Sequence, residues 1–110
     1  MKYYFKYILF SIVFIIYFPV KAGSYEDFFK AIEFDNAEAV TVLLQRGFDP
    51  DSPNPQGQPA LMLAMQKSSR KVAEVLMDWK TTNLSIHNPQ METPLMLAAI
   101  TNQLDWAKRL

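Results

Sequence analysis

A chain of 110 residues with eleven basic and eleven acidic side chains holds at most one small domain and carries no net charge. That balance excludes the strongly basic composition typical of nucleic-acid binders. With no cysteine, disulfides, thiolate metal sites and a cysteine nucleophile are excluded as well, so packing alone has to hold the fold.

The chain begins with Lys2 and Lys6, then an apolar run from Tyr7 to Phe18 broken only by Ser11, then Pro19 and Val20-Lys21-Ala22. A basic start, an apolar stretch and small residues at a cut site are the grammar of a secretory signal peptide. Pro19 interrupts the helix just before the expected cut between Ala22 and Gly23, leaving the peptide extended for a protease. Residues 1–22 are therefore expected to be a signal peptide and 23–110 the working domain, periplasmic or otherwise secreted. The alternative is an uncleaved inner-membrane anchor. The run is short of the ~20 apolar residues that a spanning helix needs, which favours cleavage. Losing Lys2, Lys6 and Lys21 leaves eight basic against eleven acidic residues, a net charge of −3. Seven of the acidic residues lie between Gly23 and Gly57, against only Lys30 and Arg46. From Gln58 onward six basic residues face four acidic ones.

The next segments alternate between helical patterns and turns. "DFFKAI" places Phe28 and Ala31 three apart, on one helical face. The aromatic residues Tyr25, Phe28, Phe29 and Phe34 are expected to cover the N-terminal end of the structure. "NAEAVTVLLQRG" puts Val40, Leu43 and Leu44 on one stripe, and Gly47 can end that helix in a left-handed conformation. "DPDSPNPQGQP" follows, a turn with four prolines in which Asp49 and Asp51 serve turn formation rather than calcium binding. "QPALMLAMQ" and "SRKVAEVLMDW" give a second helical pair, the latter with Val72, Val75, Leu76 and Trp79 on a stripe. "DWKTTN" has one extra residue and no glycine, so a looser turn is expected there. "NLSIHNPQMETP" is the next turn, and "ETPLMLAAI" opens a third pair. Its Thr93 can cap the helix through the hydroxyl, with Pro94 at the first helical position.

The phrase "QPALMLAMQ" thus recurs as "ETPLMLAAI". Leu61 and Leu95 are 34 residues apart, as are Ala64 and Ala98; stepping back 33 from Leu61 and Ala64 reaches Phe28 and Ala31. Two short helices and a Pro/Gly-rich turn at this period resemble the ankyrin repeat. Thr93-Pro94-Leu95-Met96-Leu97-Ala98 stands where that family writes T-P-L-H-x-A, and Asn36 to Asp51 is similar to its second helix and following turn. The opening "SYEDFFKAI" behind a signal peptide resembles exported proteobacterial members. The resemblance implies an all-α helix-turn-helix solenoid of about two and a half repeats, with units near 24–57, 58–91 and 92–110. Ala31, Ala64 and Ala98 should be small because neighbouring helices meet there. Leu61 and Leu95 should be buried between adjacent repeats. Met62 and Met96 depart from the family's histidine, which removes its inter-repeat hydrogen bonds.

No catalytic set assembles from the sequence. His87 is the sole histidine and lacks a metal-ligating or triad partner; Glu26, Asp27 and Glu33 fit a helix start and a solvated face. No phosphate loop or nucleophile elbow appears. The expectation is a non-catalytic protein-binding module or scaffold with no cofactor, no small-molecule substrate and no nucleic-acid partner, touching membrane only through an uncleaved signal segment. As the resemblance implies, a protein partner lies across the turn tips and inner helices, with Asn54, Gln56, Met65, His87, Gln90 and Met91 as candidate contacts. The alternative is a truncated remnant of a longer ankyrin protein, without a partner of its own.

Overall fold

A computed structural model describes residues 23–110. The expected signal segment, including Ala22 of the expected cut, lies outside these residues. Among the described residues six helices run in order: α1 over residues 23–33, α2 Ala37–Gln45, α3 Ala60–Gln66, α4 Arg70–Asp78, α5 Pro94–Ile100 and α6 Leu104–Arg109. They form three units, each an inner helix (α1, α3, α5) and an outer helix (α2, α4, α6). Within a unit α3 packs on α4 and α5 on α6; between units α2 meets α4 and α3 meets α5. Among the described residues the only strand-like pairing is an isolated antiparallel bridge between Pro53 and Pro59.

Each inner helix ends in the same way. Asp35, Ser68 and Asn102 take a left-handed backbone, with φ of 52°, 57° and 59°. The next amide, of Asn36, Ser69 or Gln103, then donates back to the carbonyl of Ala31, Ala64 or Ala98 at 2.7–2.9 Å. This closes the orphan carbonyls of the helix end and reverses the chain into the outer helix. None of the three is glycine, so each carries a steric cost of about 1–2 kcal/mol, least for Asp and Asn. Gly47, at φ 97°, ends α2 as the sequence suggests. The alanines are buried, as close helix approach requires.

The core centres on α3. Leu61, Met62 and Ala64 are buried with Val72, Ala73 and Leu76 of α4, Ile32 of α1, Val40 and Leu44 of α2, and Trp106 of α6. Met62 stands at the family's histidine position and fills core volume, adding packing but no directional bond. The units are also joined by polar contacts. The Ser69 hydroxyl donates to the Ile32 carbonyl at 2.5 Å, and the Val72 amide donates to Asp35 Oδ1 at 2.9 Å. Between the second and third units Arg70 pairs with Asp105 and lies 4.7 Å over the Trp106 ring, while Arg109 reaches Glu74 and Asp78.

Two expectations change. Leu95 is 49% exposed, not buried: α5 turns it outward on the face where Leu61 is covered by the following unit. The aromatic residues do not form an end cover. Phe28 is in the core, stacked on Phe48 at 4.5 Å, whereas Phe34 is 71% exposed. The third unit enters its second helix, as expected, and α6 is short, with six residues where α2 and α4 have nine. The turn after α4 is fastened by Thr82 N donating to the Trp79 carbonyl and Asn83 N donating to Asp51 Oδ1.

Candidate functional site

Two fingers project where one unit passes to the next. "NPQGQ" (Asn54–Gln58) and "NPQME" (Asn88–Glu92) fold alike. In the first, Asn54 N donates to the Gln58 carbonyl at 2.9 Å and Gly57 N to the Asn54 carbonyl at 2.9 Å; in the second, Asn88 and Met91 make the same bonds to Glu92 and Asn88 at 3.0 and 2.9 Å. The asparagine side chains hold each loop from inside. Asn54 Oδ1 accepts from the amides of Gln56 and Gln58, and Asn88 Oδ1 accepts from Glu92 N while its Nδ2 donates to Glu92 Oε1. Asn88 is buried. Neighbouring fingers are tied by Gln58 Nε2 donating to Gln90 Oε1 at 3.2 Å.

A groove of about 580 Å³ runs between the first finger and the inner helices. Its helical side is Tyr25, Glu26, Phe29, Lys30 and Glu33 of α1 with Leu63 and Lys67 of α3 or its end; its finger side is Asn54, Pro55 and Gln56. Tyr25 bridges the two sides, its hydroxyl donating to the Pro53 carbonyl at 2.8 Å. An apolar floor from Tyr25, Phe29 and Leu63 is therefore flanked by two carboxylates and two ammonium groups. Such a surface offers apolar contact area and both signs of charge to a partner segment. Among the described residues no cluster of three or more metal-ligating side chains exists.

The expected contact residues separate on this geometry. Gln56 lines the groove, and Gln90, His87 and Met91 are exposed on or beside the second finger. Met65 is a correction: at 4% exposure it belongs to the core and has no surface to offer. Asn54 is half-buried and its carbonyl oxygen is committed to two amides, so it is frame rather than a free recognition group. Lys30, Leu63 and Lys67 line the groove although they are not among the expected contacts. Their signal was present in "DFFKAIE" and "LMLAMQK", where lysine or leucine stands immediately before or three after the buried alanine.

A family model described as "Ankyrin repeats (3 copies)" matches residues 28–110. No curated protein matches the sequence. Three helix pairs with a common left-handed turn, fingers at a period of 34 residues and a family match from Phe28 to Leu110 lead to one conclusion: this chain belongs to the ankyrin repeat family.

Proposed function

We propose that the chain is a non-catalytic protein-binding module acting outside the cytoplasm, and that it holds its partner in the groove between the first finger and the inner helices. Ankyrin repeats are generally protein-interaction modules. The observation that carries the finer reading is the groove itself, whose apolar floor and Gln56, Lys30 and Lys67 rim are not consumed by the hydrogen-bonded frame of the fingers. The extracytoplasmic location rests on the tripartite N-terminus, with cleavage before Gly23. Capture from an extracytoplasmic extract tests the reading. Gln56→Arg and Lys67→Glu should reduce recovery of the partner without lowering the melting temperature, while Arg46→Gln, at the exposed end of α2, should not. Equal recovery with all three variants would move the binding surface elsewhere.

A further inference from the structure

The outer helices of the second and third units face each other through charge. Arg70, Glu74 and Asp78 stand four residues apart on α4, and Asp105 and Arg109 stand four apart on α6, so each set forms one stripe. Arg70 pairs with Asp105 at one end; at the other, Arg109 pairs with Asp78 and reaches Glu74 at 3.8 Å. Among the described residues every ion pair crosses this junction, and Lys71 and Lys108, the remaining charges on the two helices, take no part. The first junction has no such zipper. One repeat earlier, Ala37, Thr41 and Gln45 of α2 hold the places of Arg70, Glu74 and Asp78, and Lys71 and Val75 hold those of Asp105 and Arg109. The Thr41 hydroxyl donates within its own helix, to the Ala37 carbonyl. There α2 packs closely on α4, whereas α4 and α6 approach each other less closely. The first junction is instead pinned by the buried Ser69 hydroxyl on the Ile32 carbonyl and by the Val72 amide on Asp35.

The five charged side chains of the zipper are 36–71% exposed, so dissolved ions reach them. The Debye length falls from about 10 Å at 0.1 M salt to about 3 Å at 1 M, which weakens exposed pairs. The inner side of the same junction is apolar: α3 packs on α5, and Leu97 and Ala98 are buried. Salt does not screen that contact. We infer that the second and third units form a salt-sensitive hinge, with α3 and α5 as its axis, and that rising ionic strength lets α6 swing away from α4. Arg70 is also held by Gln103 Oε1 at 3.0 Å and by the Trp106 ring, so the Arg109 end parts first. The rotation from one repeat to the next sets the curvature of the stack. Opening this edge therefore changes the angle between the two fingers, which are tied at Gln58 and Gln90.

The chain has no cysteine, so pairs of spin labels can be placed without removing any native residue of that type. Lys71→Cys with Lys108→Cys reports α4 against α6, and Glu38→Cys with Lys71→Cys reports α2 against α4; none of these residues belongs to an ion pair. Pulsed dipolar spectroscopy compares the two distances at about 0.02 M and about 0.5 M NaCl, on processed protein purified from cells expressing the full chain. The population with the longer α4–α6 distance should grow about threefold to tenfold at the higher salt, while the α2–α4 distance stays fixed. Arg109→Gln should show the open population already at low salt. Arg109→Asp combined with Asp78→Arg, which swaps the pair, should restore most of the closed one. Circular dichroism should be the same at both salts, because the helices separate without melting. An α4–α6 distance indifferent to salt overturns the proposal, as does a full salt response that survives Arg109→Gln. Equal lengthening at both junctions, or loss of helix at the higher salt, overturns it too.

Discussion

Met91 holds in the second finger the position that Gly57 holds in the first: both have a left-handed backbone, at φ 64° and 83°, and both donate to the carbonyl of the asparagine three residues before. Glycine takes this conformation freely, whereas a methionine pays about 1–2 kcal/mol in steric strain. Met91→Gly should therefore stabilise the protein by ~0.5–1 kcal/mol, after the greater backbone entropy of glycine is subtracted. The reverse site is less forgiving. A Cβ at Gly57 would stand 3.0 Å from Pro89 Cγ as well as on a strained backbone, so Gly57→Ala should destabilise. Denaturant midpoints with unchanged slopes check both; a destabilised Met91→Gly would show that the methionine side chain contributes packing here.

Burial separates two leucines that the repeat makes equivalent. Leu61→Ala should cost about 2–5 kcal/mol, because Leu61 is fully buried in the core. Leu95→Ala, at a half-exposed position, should cost less than about 1 kcal/mol in dilute solution. Thermal melts of the two variants decide, and equal losses would contradict this difference in burial.

Asn88 is buried and serves as the inner post of the second finger. Asn88→Ala leaves the Glu92 amide without its acceptor and should cost about 1–3 kcal/mol. Asn54→Ala should cost less, since water can reach the half-buried first finger. Chemical denaturation of both variants provides the comparison.

The fold was readable because its signals are local. The period of Leu61 and Leu95, the Thr93 cap accepting from Met96 N, and Gly47 all follow from residue type and spacing. What spacing could not show is which copy of a repeated face has a neighbour, and this is why Leu95 and Leu61 part company. The left-handed turns at Asp35, Ser68 and Asn102 were hidden because none is glycine, although each stands between an inner and an outer helix. The groove escaped notice for a related reason: hydrophobic periodicity reports the faces that pack, and Lys30, Leu63 and Lys67 lie beside that stripe on the inner side. The fingers were located correctly, yet the structural duty of Asn54 needed hydrogen-bond geometry to be seen.

Stability should fall along the stack. The outer helix α6 is short and has a unit on one side only among the described residues, while α3 and α4 are flanked on both. Amide exchange should be fastest over residues 103–110 and slowest around Leu61, Val72 and Leu76. Appending a further consensus repeat should raise the melting temperature by covering Leu95, Met96 and Leu104; an unchanged melt would mean that this face is already satisfied.

The proposed binding role turns on a protein partner seated in the groove of the first finger. Photo-crosslinking from single positions on the intact protein tests it most directly, with the reactive side chain placed at Gln56, Lys67 or Arg46 in turn. A cross-linked protein partner is expected from Gln56 and Lys67 and none from Arg46, with micromolar capture typical of one modest surface. Cross-links from Arg46 that equal or exceed those from Gln56 and Lys67 would contradict it.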